Sequence, residues 1–201
     1  MPKHFTSEER IEIEGRLLAA AKASFLYFGM NKTTVEDITQ NAGVAKGTFY
    51  LFFKSKGDIF MRLYSDEWKM IHDELDQKYL GKKGKLADLI TGYISENRKA
   101  LLSHPLLASV YERDTMVSIS DRTVSKRLME FKQMSDGSLT KIIKSWIEAN
   151  ELNCPIDPEV ISGMIRSTSY LNYHKDEIGE EIFDEVISQL IHGITLVVEK
   201  R

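Results

Sequence analysis

The sequence predicts an all-α protein of about nine helices, a short N-terminal helix-turn-helix followed by a larger helical remainder. Three observations carry this. Apolar residues recur three or four apart along almost the whole chain, and no run alternates with the period of a strand. Only four prolines interrupt the 201 residues, so long intervals contain no helix breaker of that kind. Helix start and stop residues recur at the ends of the periodic stretches. The chain is 42% hydrophobic and 28% charged, an ordinary globular balance, and it is long enough to bury a core without staples.

The first helix is expected from Ser7 to Phe28. Thr6 or Ser7 caps it, Glu8 and Glu9 suit its positive end, and Gly29 suits a left-handed stop. Leu17 or Leu18, Ala21, Phe25 and Phe28 make its inward stripe. A second helix starts at Thr34, with Asp37 as its capping-box partner, carries Val35, Ile38 and Ala42 inward, and ends at Gly43. A third runs from Ala45 to Phe53. Ser55 with Asp58 repeats the capping pattern and opens a long fourth helix through Trp68 and Leu75 to Tyr79. Gly81 and Gly84, with lysines between and after them, mark a solvated joint. Leu86 to Leu101 forms the fifth helix, ended before His104-Pro105 because proline disfavours the α conformation in its predecessor. A sixth covers Leu106 to Arg113, and a seventh Ser120 to Ala149, bent at Asp136-Gly137. Asp157-Pro158 is a cap followed by proline at the first helical position, which opens an eighth helix to Tyr173. A ninth runs from Gly179 towards Lys200. The expected division is a domain at 1–54 and a second at 55–201.

Net charge is -3 with pI near 6.0, so the total gives no sign of a polyanionic partner. Its distribution does: Asn41 to Lys56 holds Lys46, Lys54 and Lys56 and no acidic residue, a local basic stripe of the kind phosphate contacts need. Cys154 is the single cysteine, which rules out an intrachain disulfide and suits a reducing compartment. Met1 to Arg10 is polar, and no stretch approaches the ~20 apolar residues of a membrane span. A cytoplasmic protein with no membrane partner is expected. No nucleophile elbow, phosphate-binding glycine loop or paired metal motif occurs, so neither catalysis nor a cofactor or metal is expected. His72 and Asp76, four apart, read as an exposed ion pair rather than metal ligands.

The informative stretch is Thr34 to Lys56. It sets two helices of about two turns around Gly43, the spacing of a helix-turn-helix. Ala42 is small enough for the helices to approach, and Gly43 tolerates the positive φ of the turn. Phe49 and Phe53, four apart, belong to the core. Lys46, Gly47, Thr48 and Tyr50 remain on the opposite face. They bring a charge, a close backbone approach and two hydrogen-bonding tips to a helix that would lie in the major groove of duplex DNA.

In these residues the chain resembles the tetracycline-repressor (TetR) family of bacterial regulators. The likeness runs from Thr33 to Phe60, strongest over Gly43-Val44-Ala45-Lys46-Gly47-Thr48-Phe49-Tyr50 and Phe53-Lys54-Ser55-Lys56, and looser over Ala20 to Gly29. Beyond residue 60 it is architectural. Where Ala45 stands the family usually has serine or threonine, so one cap or phosphate contact is missing here. The resemblance implies that Thr33 or Thr34, Thr48, Tyr50 and Lys56 contact phosphates and that Lys46 and Gly47 approach base edges. It implies a homodimer on a palindromic operator and repression relieved by a small-molecule effector, with the fourth helix coupling the two sites.

In the C-terminal segment, Trp68, Tyr93, Tyr111, Met129, Trp146 and Tyr170, with Asn97 and Arg166 as polar members, are the candidates for an effector pocket. Bundle core is the competing account of each apolar one. Ile161, Ile165, Phe183, Ile187, Leu190, Ile191 and Ile194 exceed what one side of each of the last two helices needs, and in the family these helices pair with their symmetry mates. A helical carrier or enzyme with a vestigial N-terminal motif, or an effector-independent activator, would fit the same composition.

Overall fold

The computed structural model describes residues 5–109, 122–151 and 154–199. All regular structure among them is helical, and no described helix is long and apolar enough to cross a membrane. They fall into two compact units. One holds the chain up to Glu67 with 105–109 and 122–128; the other holds 68–104, 129–151 and 154–199.

In the first unit, α1 (Ser7–Lys32) opens on a reciprocal capping box. The Glu9 amide donates to Thr6 Oγ1 at 3.2 Å and the Thr6 amide to Glu9 Oε2 at 2.8 Å. Gly29 breaks the helix at φ 78°, the left-handed stop its position predicts, and Met30 to Lys32 add one further turn. Leu17, Ala21 and Phe25 face inward, and Phe25 meets Phe60 edge-on at 5.5 Å. Phe28, expected inward, is half exposed and stands edge-on to Tyr27 instead. Then come α2 (Val35–Ala42), α3 (Lys46–Phe49) and α4 (Lys56–Tyr79), whose segment up to Glu67 belongs to this unit. The Asp58 amide donates to Ser55 Oγ at 3.1 Å, the cap expected for α4. α6 (Pro105–Ser109) packs on α1.

The second unit is built from the rest of α4, α5 (Leu86–Ser103), the larger part of α7 (Arg122–Ala149), α8 (Pro158–Leu171), a 3₁₀ turn (Asn172–His174), α9 (Lys175–Ile178) and α10 (Phe183–Glu199). Tyr79, Tyr93 and Trp146 meet edge-on, and the Trp146 indole N–H donates to the Tyr79 carbonyl at 2.6 Å. That bond satisfies the one polar atom of an otherwise fully buried side chain. Asp157 accepts from the Glu159 amide, and Pro158 occupies the first turn of α8, as the sequence predicts. The last helix differs from expectation. Gly179, at φ 108°, closes the short α9 rather than opening α10, which starts at Phe183. α10 packs on α5 and α8.

Candidate nucleic-acid interface

Thr34 caps α2 with the expected box: the Asp37 amide donates to Thr34 Oγ1 at 3.1 Å, and the Thr34 amide donates to Asp37 Oδ2 at 2.8 Å. The Thr34 hydroxyl adds a third bond at 2.7 Å, and this donation, followed by the amide's, holds the Asp37 carboxyl below the ordinary carboxylate range. At the far end, Gly43 adopts φ 62°, ψ 40°. A residue the sequence did not single out completes this turn. Arg16 of α1 donates from Nε to the Ala42 carbonyl at 2.9 Å and from its second guanidinium nitrogen to the carbonyls of Ala42 and Gly43. A cation therefore meets the negative end of α2 and binds its otherwise unpaired carbonyls. A Cβ at Gly43 would stand 2.9 Å from that nitrogen, so any other residue there would displace the guanidinium as well as strain φ.

α3 is shorter than expected. Regular helix ends at Phe49, and the next residues tighten into i→i+3 bonds, Leu51 to Thr48 at 3.1 Å and Phe52 to Phe49 at 3.0 Å. Two anchors beyond impose this: Phe53 turns inward against Phe49, and the Lys54 amide is taken by Asp58 Oδ2 at 3.1 Å. Ala45 supplies no side-chain cap, which matches the hydroxyl missing from its position.

The outer face of this segment carries the expected side chains. Lys46 and Gly47 are exposed, Thr48 is half-buried, and Tyr50 is 52% exposed with its ring edge-on to Phe49. No atom lies within 4 Å of where a Gly47 Cβ would stand, so this backbone is open to close approach. Lys46 is bonded to Glu36 of α2; that hydrogen bond raises the lysine above its ordinary value and lowers the carboxyl below its own. Lys56 donates from Nζ to the carbonyls of Thr33 at 2.7 Å and Asn31 at 3.2 Å, and partial burial pushes its ammonium below the usual lysine range. It thus ties the α1–α2 loop to the start of α4. Thr33 is 1% exposed, with its hydroxyl shared between the carbonyls of Ser24 and Gly29. Thr34 is the member of the pair at the surface.

The effector candidates among the described residues have different surroundings. Tyr93 and Trp146 belong to the aromatic core, and burial raises the Tyr93 phenol well above its usual value. Trp68 is half-buried against Phe131 and stacks on His72 at 3.9 Å. Asn97 donates to Ser169 Oγ at 3.0 Å, Tyr170 is half-buried, and Met129 is exposed. Tyr111 lies outside the described residues. Arg166, which donates to Ser162 Oγ at 2.7 Å, lines an open cleft of about 800 Å³ with Lys141, Lys144, Thr140, Ser145, Glu148 and Glu159. Leu80 and Gly137 complete its wall, which mixes charged groups with apolar surface.

Of the interface candidates, Ile161, Ile165, Phe183, Ile187 and Ile194 are 0–5% exposed. They are the core of the second unit, because α8 and α10 turn these faces on each other and on α5. Leu190 is exposed and Ile191 half-buried. His72 and Asp76 are not an exposed ion pair. The His72 ring is largely covered by stacking, Nδ1–H donates to the Trp68 carbonyl at 2.9 Å, and burial lowers its pKa. Asp76 accepts from the Ser138 hydroxyl at 2.7 Å. No group of three potential metal ligands occurs among the described residues.

Residues 17–63 match the family model for bacterial regulatory proteins of the tetR family. Over these residues the chain is similar to that family. Those residues hold the helix-turn-helix, and in them the chain is similar to DNA-binding transcriptional regulators. The fatty acid metabolism regulator protein of Bacillus subtilis (strain 168) is 26% identical over 171 residues, covering 83% of this chain and 87% of that one. In fold, the chain is similar to the fatty acid degradation regulator FadR of Bacillus halodurans, with TM-score 0.69, 16% identity and coverage of 99% and 100%. It is likewise similar to FadR of Bacillus subtilis in complex with stearoyl-CoA, with TM-score 0.62, 21% identity and coverage of 92% and 98%.

Proposed function

We propose that this chain is a cytoplasmic, ligand-responsive repressor of the TetR type that binds a palindromic operator as a homodimer, with residues 1–54 as the DNA-binding head and 55–201 as the effector and dimerisation domain. The observation that carries the reading is the face of α3, where Lys46, Gly47 and Tyr50 stand exposed beside the half-buried Thr48 on a turn locked by Gly43 and Arg16. Lys46 and Gly47 suit base edges, while Thr34, Thr48, Tyr50 and the third hydrogen of Lys56 suit phosphates. The protein acts by binding, not by catalysis.

The dimer reading rests on the faces of α8 and α10 that the chain leaves uncovered. Val160, Leu190 and Val197 are exposed, and Val186, Leu190, Gly193 and Val197 follow one another at helical spacing along α10. Two heads are required because one short helix contacts too few bases to select a site, and the heads must sit about one DNA turn, ~34–36 Å, apart. An effector that binds better to a form with wrongly spaced heads lowers operator affinity, and operator binding lowers effector affinity equally. The relative named for fatty acid metabolism and the FadR–stearoyl-CoA complex make a long-chain acyl-CoA the effector class to try first.

The test is selection of bound duplexes from a random pool, repeated with Leu190→Glu and with stearoyl-CoA present. A palindrome should emerge for the native chain, be lost in the variant along with the dimer mass by light scattering, and weaken with stearoyl-CoA. A monomer that tightly selects an asymmetric half-site would overturn the reading; a palindrome insensitive to stearoyl-CoA would overturn the effector class alone.

A further inference from the structure

We propose that Glu36 is a specificity-determining residue of the DNA-binding face: its carboxylate competes with non-operator phosphates for the Lys46 ammonium. This rests on the reading of α3 as the groove-facing helix. The contact joins α2 to α3 across the turn, ten residues apart in sequence. The side chains are 60% exposed for Glu36 and 52% for Lys46. The pair therefore stands on the surface that DNA approaches, and neither group is buried by the fold. Lys46 is the one cation within α3, and the fold supplies it with an intramolecular anion. The partnership also moves both groups towards their charged forms.

The consequence differs between the two kinds of DNA. On a non-operator duplex the alternatives open to Lys46 are a mobile phosphate contact or Glu36, which is already in place. While the pair holds, the lysine releases no counterion and the carboxylate repels the backbone. On the operator, guanine acceptors at a fixed position offer a bidentate alternative. Opening an exposed ion pair costs little, because water and salt already screen it. Glu36 thus subtracts more from indiscriminate binding than from specific binding, which is how a repulsive element raises selectivity.

The experiment compares the full chain with Glu36→Gln, Lys46→Ala and the double variant, titrating a non-operator duplex and the selected operator from 50 to 300 mM salt. Glu36→Gln should steepen the non-operator salt slope by about 0.9 per head, which is roughly eightfold in affinity per head at 0.1 M salt if the electrostatic contribution vanishes near 1 M. Operator affinity should rise by less, so the operator to non-operator ratio falls. In the Lys46→Ala background the Glu36 change should leave the slope unaltered. Glu36→Ala, which keeps helix propensity, must reproduce the slope change, separating charge from any fault in folding. An unchanged non-operator slope in both Glu36 variants overturns the proposal, as does a slope change that persists without Lys46. A native chain that binds no duplex at all would instead defeat the DNA-binding reading itself.

Discussion

Replacing Gly43 by alanine tests whether the turn between α2 and α3 depends on one long-range cap. Two costs are expected. Gly43 is at φ 62°, and an L-residue held there pays about 1–2 kcal/mol. The new Cβ would also stand 2.9 Å from the Arg16 guanidinium. The tip of a flexible side chain will yield before backbone does, so Arg16 withdraws and its bonds to the carbonyls of Ala42 and Gly43 are lost. Charged hydrogen bonds contribute roughly 1.5–3 kcal/mol. The Arg16 side chain is 44% exposed, however, and water replaces part of that loss, leaving about 1 kcal/mol. The total is about 2–3 kcal/mol. With Arg16→Met already in place only the backbone cost remains, so a double-mutant cycle should return a coupling of about 1 kcal/mol. Urea unfolding of the four proteins measures it, and operator titration should show Gly43→Ala weakened on every sequence. Equal losses with and without Arg16 would refute the cap, since the penalty would then belong to φ alone.

Two further outcomes follow from buried or shared charge. Glu67 is nearly enclosed, Lys22 Nζ lies 2.7 Å from its Oε1, and Oε2 has no hydrogen-bond partner among the described residues. Removing one partner of a fully buried pair costs about 3–5 kcal/mol; because Lys22 is half exposed, Lys22→Met should cost about 1–3 kcal/mol, lowering the thermal midpoint by several degrees, and Glu67→Leu added to it should restore much of the loss. An unchanged midpoint in Lys22→Met would show that the carboxylate needs no counter-charge. Asp37 provides a pH signature: its folded carboxyl lies below the unfolded value, so its capping contribution is full above about pH 4 and is lost as pH falls through the folded value. Amide exchange at Thr34 and Asp37, corrected for intrinsic rate, should stay protected from pH 7 to 5 and open in acid, and Asp37→Asn should abolish the dependence.

What was legible in the sequence was what is local. The Thr34–Asp37 box joins residues three apart, Thr6 is one of the two caps offered for α1, Phe49 and Phe53 are one turn apart, and Gly29 and Gly43 adopt the positive φ their positions imply. The contacts that spacing does not reveal are long-range. Arg16 reaches carbonyls 26 and 27 residues away, and Lys56 reaches carbonyls 23 and 25 residues away. No spacing rule covers such distances, so nothing in the sequence singles out Arg16, and Lys56 reads only as a phosphate contact. In α10 the periodicity reveals apolar residues on two sides without saying which side belongs to the chain itself. Ile187 and Ile194 were taken by α5 and α8, while Leu190 was left outside.

These long-range partners change what the head's basic residues imply about binding. A sequence count of lysines treats each as an equivalent phosphate ligand, whereas here Lys46 begins on a carboxylate and Lys56 on two carbonyls. Each is positioned before DNA arrives, which reduces the side-chain entropy lost on binding, but each must share or exchange a partner to make a new contact. Lys56 can share, because three donors serve two carbonyls and one remains. Lys46 must exchange, because its partner is an anion that DNA repels. The salt slope of the head should therefore fall short of its lysine count, with Lys46 as the missing charge on non-operator DNA. That shortfall follows from the fold of α2 against α3 and from no property of α3 alone.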